Sequence, residues 1–551
     1  MIEMKNKILK ISLFILILGS VAFTFPGEKY FEVSKNLEVF ASVVKEVNAN
    51  YVDEVDVKKL VGVGIAGMLQ QLDPYTDYIP EEQLEAFSIQ TTGEYAGIGA
   101  LIRVVKGKTI IALPYFGFPA NKAGIRVGDE LISIDGKSVQ GKATDEASAM
   151  LKGAPKTEVE LEIKHYGESA PVKLKLVRER IKIQNVTYAG LIGTDIGYIK
   201  LDEFTPGASR EVVAALNKLK SQGATKVIFD LRDNLGGSLY EAVNISNIFI
   251  PKDKEVVSTK GKSAESNKTY NTLYAPTDLQ IPLVILTSNS TASAAEIVAG
   301  TLQDYDRALL VGQRTFGKGL VQTTRQLAYG AQLKITTAKY YIPSGRCIQA
   351  LDYAHRQTDG SVKKFADSLK REFKTKAGRK VYDGAGLEPD IVLPALEVGS
   401  LAIDLFSEGL MFEYANKYCS EHNMPASFSD FQLTDAEYDK FIEWVQKQNY
   451  ARKSEVVAKT EALIASSKQE NNYEQLKATL SELKLKVDNL YTFQLSKFKP
   501  EIKLLLEEEI GFHYKLSEGQ VEVTLRHDPE IREARKLLAD PVKYKKLLSA
   551  N

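Results

Sequence analysis

Cysteine is nearly absent: the 551 residues hold two, Cys347 and Cys419, and neither stands in a CxxC pair. That excludes a disulfide framework and a four-thiolate zinc site. The five histidines are scattered, none at metal-ligand spacing, so no metal site is predicted. Net charge is missing too, because 71 Lys and Arg balance 71 Asp and Glu, and no whole-chain field points toward nucleic acid. There is no low-complexity tract, and 44% apolar with 26% charged residues describes a globular chain, not a disordered or fibrous one. Past the N-terminus no apolar run reaches membrane length, which confines any membrane association to the N-terminal segment.

That segment, residues 1–26, carries Lys5, Lys7 and Lys10, then the apolar run 11–18, then Gly19-Ser20-Val21-Ala22. This is the pattern of a secretory signal. Phe23 and Phe25 lengthen the apolar stretch, so it is either cleaved or retained as an N-terminal membrane anchor. No cysteine follows it, which argues against a lipoprotein. The expected location is outside the cytoplasm, in a bacterial periplasm or cell envelope.

At about 100 to 200 residues per domain the chain should hold three or four domains. Apolar residues recur at helical spacing from Tyr30 to Leu72 (Leu37, Phe40, Val44, Val47, then Leu60, Val63, Met68), predicting an N-terminal helical domain over 27–92. Over 93–182 the texture turns to short strands and turns, with one helix at 143–151. Over 183–395 strands at 197–201, 226–231, 282–287, 308–312 and 332–341 alternate with helices such as 209–220, which is α/β texture. Residues 396–551 read as a charged, mostly α-helical extension. It has a capping box at Thr434 and Glu437 and an apolar seam at Leu476, Leu480, Leu483, Val487 and Leu490 that fits a local helical bundle.

Three segments follow predicted strands in the α/β region, where open α/β sheets place their sites. Asp230-Leu231-Arg232-Asp233-Asn234-Leu235-Gly236-Gly237 runs into a glycine turn whose N–H groups can face an anion. Ser288-Asn289-Ser290-Thr291-Ala292-Ser293-Ala294-Ala295-Glu296 opens a helix, and Ser290, Thr291 and Ser293 all compete for the plain role of helix cap. A nucleophile there would gain the helix N-terminus as an oxyanion site. Gly312-Gln313-Arg314-Thr315-Phe316-Gly317-Lys318-Gly319 imitates a P-loop, but Gly319 stands where a magnesium-binding hydroxyl is needed. No histidine lies in any of the three, so a serine nucleophile would need a lysine base. A lysine is a base only when neutral, which takes burial or a nearby cation to lower its pKa by about three units from about 10.4.

These segments resemble those of the C-terminal-processing, or tail-specific, proteases, serine peptidases with a Ser/Lys pair and an inserted PDZ domain. The resemblance spans roughly residues 37–394 and includes Leu72-Asp73-Pro74-Tyr75, Gly97-Ile98-Gly99-Ala100, Ala123-Gly124-Ile125-Arg126-Val127-Gly128-Asp129, Pro343-Ser344-Gly345-Arg346 and Gly386-Leu387-Glu388-Pro389-Asp390. It implies a multidomain α/β fold with a protease core like that of crotonases and the Clp peptidase. Ser293 would be the nucleophile, Lys318 the base and Gln322 the residue holding the lysine amine. The oxyanion would lie between the N–H of Ala294 and the Gly236-Gly237 turn, with no metal or organic cofactor. Thr291 and Ala295 stand where the family often has serines, Cys347 replaces a frequent serine, and the stretch 349–385 is longer than usual.

By the same resemblance, Gly97, Ile98, Gly99 and Ala100 form the PDZ loop that takes a peptide's terminal carboxylate while a strand edge pairs with the peptide. The function implied is an endopeptidase that captures C-terminal tails of envelope proteins and cuts through an acyl-enzyme; the rival is a non-catalytic peptide-binding scaffold. Peptide or unfolded-protein tails are the expected partners, nucleic acid is not, and the helical C-terminal region would be where a second subunit or an adaptor docks.

Overall fold

The computed structural model describes residues 27–357, 360–365, 370–395, 398–448 and 455–549, without the side chains of 27–29 and 488–493. The export signal expected at 1–26 and the side chain of the seam residue Leu490 lie outside what is described. No described helix is long and apolar enough to cross a membrane. The described residues pack as two units: one holds those up to 81 with 322–336, the other those of 82–321 and those beyond 336.

The smaller unit contains the helices Gly27–Asn50 and Val57–Gln70 and the strand Asp77–Ile79, whose Asp77 pairs with Lys334 in an antiparallel register. Asp56 caps the second helix by accepting from the Lys59 N–H at 3.0 Å. Asp73 then turns the chain at Asp-Pro-Tyr, accepting from the N–H groups of Tyr75 and Thr76 at 2.8 Å each. Helical spacing located these helices, but few of their apolar residues are enclosed: among the described residues of the two helices only Leu69 is buried. Leu37, Val63 and Met68 are all more than half exposed, because two helices and a strand are too few to enclose a core. The third helix of the expected N-terminal region, Leu84–Thr92, belongs to the larger unit.

In the larger unit, residues 100–177 form an antiparallel sheet in the order Ala100–Val105, Lys108–Pro114, Glu130–Ile134, Glu158–Lys164, Val172–Val177. Alternation decides its faces: Val159, Leu161 and Ile163 are buried while Glu158, Glu160 and Glu162 point away. The ribbon Glu94–Gly97 with Glu179–Lys182 brings the chain in and out side by side, as an inserted domain requires.

The α/β core is a six-stranded sheet, and the strands Ile196–Leu201, Lys226–Asp230, Leu283–Thr287, Leu309–Gly312 and Ile391–Val392 run parallel in that order, with Val186–Ile192 antiparallel at one edge. Both faces are apolar, so both must be covered. On one, Val227, Phe229, Leu283 and Ile285 pack against the helices Ala208–Ser221, Leu239–Phe249 and Ala294–Asp304. On the other, Ile228, Val284, Leu286, Leu309 and Val311 pack against Ile531, Ala534, Leu537, Leu538 and Tyr544. The helices Pro529–Ala539 and Pro541–Leu548, at the far end of the C-terminal extension, are thus the third layer of the core. The rest of the extension is a helical bundle whose own core includes Leu405, Phe441 and Leu506, with the capping box formed as read: Glu437 accepts from Thr434 N–H at 2.6 Å.

Leu537 is fully enclosed against the sheet. Leu537→Ala is expected to destabilise the protein by about 2 to 5 kcal/mol, the range for a buried leucine truncation. Denaturant unfolding followed at the core should show the lowered midpoint, and an unchanged midpoint would mean the C-terminal helices do not close the sheet.

Candidate active site

All three glycine-and-serine segments leave the carboxyl ends of neighbouring parallel strands, which brings residues far apart in sequence to one edge of the sheet. Side chains of low individual interest stitch them together. Thr291 donates to the Leu231 carbonyl at 2.8 Å, and Ser288 donates to the Asp233 carboxylate at 3.0 Å. Asn234 accepts from the Ala292 N–H at 2.9 Å through its carbonyl and donates to the Leu201 carbonyl at 2.7 Å. Thr291 is thereby committed to structure, and Ser293 is the residue left at the helix start.

Ser293 sits at φ 57°, ψ −116°, a conformation L-residues rarely adopt, directly before the helix Ala294–Asp304. Such a strained strand-to-helix turn is a recurring way to present a serine at the head of a helix. What holds it is Glu296. Its carboxylate, fully buried, accepts from the N–H of Ser293 at 2.8 Å, of Lys318 at 2.9 Å and of Gly317 at 2.8 Å, and from the Thr315 hydroxyl at 2.5 Å. Ser293 and Lys318 donate to the same oxygen, so their backbone nitrogens lie within about 6 Å of one another. From the other side the Tyr340 hydroxyl reaches the carbonyls of Lys318 at 2.6 Å and Ser293 at 3.2 Å. Phe316 N–H donates to the Thr291 carbonyl at 3.0 Å, a further tie between the two segments.

The glycine turn lies against the serine. A Cβ on Gly236 would come within 2.8 Å of the Ala294 nitrogen, the Ala292 oxygen and the Ser293 Cβ, at a φ of 93°. The Gly236 N–H is donated to the Asn234 side-chain oxygen at 2.8 Å, so this residue serves the site by its missing side chain and is not a free donor. The N–H of Ala294, first in its helix, is an orphan donor. Gln322 lies in the smaller unit, on the strand Leu320–Gln326, and its amide donates to Thr336 at 3.2 Å. In the antiparallel domain, the carbonyls of Ile98 and Gly99 accept from Ala120 and Tyr115 at 2.8 Å each, pinning the 97–100 loop, and Gly99 has φ 75°.

Glu296 and Tyr340 are the positioning groups that sequence reasoning missed. Ser293-x-x-Glu296 is a capping-box spacing, a signal that a glutamate folds back on the helix start. Tyr340, on a strand 22 residues beyond Lys318, gave no signal at all.

Burial pushes the Glu296 carboxyl up to about 7, and the hydrogen bonds donated by Thr315, Lys318, Ser293 and Gly317 pull against it. From its ordinary 4.5 to about 7 the folded chain keeps a proton that the unfolded chain has released. Stability from this group is therefore full below pH 4.5 and is lost as pH rises through 7, about 3 kcal/mol in all. Glu296→Gln removes that slope, so the lead of wild type over the variant in unfolding free energy should shrink between pH 5 and pH 8. A lead that does not change with pH would mean Glu296 is ionised throughout.

Three family models match the chain: peptidase family S41 over residues 195–354, a PDZ domain over 110–165, and the C-terminal helical domain of probable PDZ-proteases over 401–538. A probable CtpA-like serine protease of Staphylococcus aureus is 38% identical over 335 residues, 60% of this chain and 66% of that one, so the match spans just under two thirds of the staphylococcal protein. A carboxy-terminal-processing protease of Bartonella bacilliformis is 35% identical over 321 residues, 58% of this chain and 73% of that one. Among solved structures, a photosystem II D1 C-terminal processing protease is similar at 26% identity and a TM-score of 0.33, over 64% of this chain and 92% of that one. With a PDZ domain, the S41 core and the helical domain matched one after another along the chain, the chain belongs to the carboxy-terminal-processing proteases of peptidase family S41.

Proposed function

We propose that the protein is a serine endopeptidase of the bacterial envelope that takes exposed C-terminal tails in its PDZ domain and hydrolyses peptide bonds with Ser293 as nucleophile and Lys318 as base. The observation that carries this reading is the single Glu296 oxygen accepting from both Ser293 and Lys318. A buried carboxylate that fixes two remote backbones fixes where their side chains start, and proximity of nucleophile and base is what such a reaction needs most.

In this reading the Ser293 Oγ adds to the substrate carbonyl and its proton passes to the Lys318 amine. The oxyanion is held by the N–H of Ala294, aided by the helix dipole, and by the N–H of Gly237. The proton goes on to the leaving amine as the C–N bond breaks, and water, deprotonated by the same lysine, frees the acyl group. Leu235 and Phe316, 72% and 46% exposed on the two loops beside Ser293, offer apolar surface to the residue being cut. In the PDZ domain the strand Ala100–Val105 ends the sheet order, so its edge is open to pair with a tail whose carboxylate meets the 97–100 loop. The export signal read at 1–26 supplies the route to the envelope.

Ser293→Ala and Lys318→Ala are each expected to abolish cleavage of an unfolded protein with an apolar C-terminus, and to be no worse combined than alone. Gln322→Ala should reduce kcat less than either. Products read by mass spectrometry test this, and cleavage by Ser293→Ala would remove the assignment. Tail binding without cleavage by the wild type would make the protein a scaffold.

On full-length Ser293→Ala protein, amidating the C-terminus of a tail peptide should weaken binding at least tenfold, since a charge-assisted hydrogen bond contributes about 1.5 to 3 kcal/mol. Equal affinity of acid and amide by calorimetry would place tail selection outside the PDZ loop.

A further inference from the structure

The C-terminal extension does more than cover the sheet. Its helix Pro529–Ala539 begins where two of the site loops leave their strands. Asp528, the N-cap, accepts from the N–H of Glu530 at 2.8 Å and of Ile531 at 3.0 Å with one oxygen, and from the Arg232 guanidinium at 2.5 Å with the other. Glu530 accepts from the same guanidinium at 2.6 Å, and its second oxygen takes the side-chain amide of Gln313. Both carboxylates have side chains only 7% exposed, and Arg232 only 15%. The other edge of Arg232 is held by Asp230, at 2.6 Å and 3.0 Å, and Asp230 also accepts from the Tyr198 hydroxyl at 2.6 Å.

Arg232 and Gln313 are the roots of the catalytic loops. Two residues past Arg232 is Asn234, which ties the oxyanion turn to Ala292 and orients Gly236. Gln313 is five residues before Lys318, and its backbone exchanges hydrogen bonds of 2.9 Å with Thr287 at the root of the serine segment. A Cβ on Gly312 would fall 3.3 Å from Glu530, so the acid seats against backbone that has no side chain to spare.

We infer that Asp528 and Glu530 are positioning residues for peptide hydrolysis: from the C-terminal helical domain they brace the oxyanion turn through Arg232 and the lysine turn through Gln313. This rests on the reading of Ser293 and Lys318 as nucleophile and base. One guanidinium faces three carboxylates, so neutralising Asp528 and Glu530 still leaves Arg232 paired with Asp230, and the arginine is not stranded as a buried free charge.

The test is full-length Asp528→Asn/Glu530→Gln against wild type, with Arg535→Gln on the exposed side of the same helix as control. Cleavage of an unfolded substrate should show kcat reduced at least about tenfold and KM changed less than kcat, since in this reading the tail is held by the 97–100 loop while the brace acts on the loops that carry Ser293's partners. Hydrogen exchange should rise at least about tenfold in residues 231–237 and 313–318 and stay unchanged in the strand Leu283–Thr287, with a cooperative melting transition retained. Unchanged exchange in the two loops, or wild-type kcat, overturns the brace. If wild type cleaves nothing, the peptidase reading fails, and the exchange data still decide whether the acids hold the loops. Should the double variant lose cooperative melting, Glu530→Gln alone, which keeps the Asp528 cap, is read by the same two criteria.

Discussion

One buried carboxylate organises the candidate active site. Glu296 takes four hydrogen bonds from three separate places: the strained serine before its own helix, the turn carrying Lys318, and the threonine that leads into that turn. Residues 293 and 318 lie on loops after different strands, and Glu296 joins them from one side as Tyr340 does from the other. Burying this group is costly, and the hydrogen bonds that offset the cost specify the geometry as much as they stabilise it. A side chain that swung away would take the acceptor from four donors at once, so the arrangement has no cheap alternative nearby.

Around that point the structure builds outward in layers of restraint. Asn234 and the missing side chain of Gly236 let the glycine turn approach the serine, and Thr291 and Ser288 lock the two loops by their hydroxyls. Behind them the parallel sheet supplies rigid strand ends, and its second face is closed by helices that come from the last residues described. An insertion of more than a hundred residues of helical bundle between the sheet and its final cover is tolerated because what matters is which face of Ile531, Leu537 and Tyr544 meets the strands, not where they lie in sequence.

Much of this was legible in the residues. The strands at 226–231 and 282–287 and the helix at 209–220 all read as they fold, because local pattern and tertiary burial agree there. The site was legible as three segments with a resemblance that ranked Ser293 above Ser290 and Thr291; the residues alone left those three level. What could not be read is what depends on long-range pairing. Tyr340, Asp528 and Glu530 carry no local signature, and the role of Glu296 was hidden behind its use as a spacing mark. Gly236 looked like a donor, yet its N–H turns inward to Asn234, a choice made by a side chain two residues away. The N-terminal helices show the reverse case: the spacing of Leu37, Val63 and Met68 located helices and still did not tell whether anything covers them.

The central claim is that Glu296 and Tyr340 hold Ser293 and Lys318 as one catalytic unit, and covalent labelling tests it most directly. Wild type treated with a serine-directed phosphonofluoridate should gain one adduct by intact mass, mapped by peptide sequencing to Ser293, and Lys318→Ala should label at least about a hundred times more slowly because no base is left to take the proton. Labelling at another serine, or a Lys318→Ala protein that labels as fast as wild type, would contradict the account.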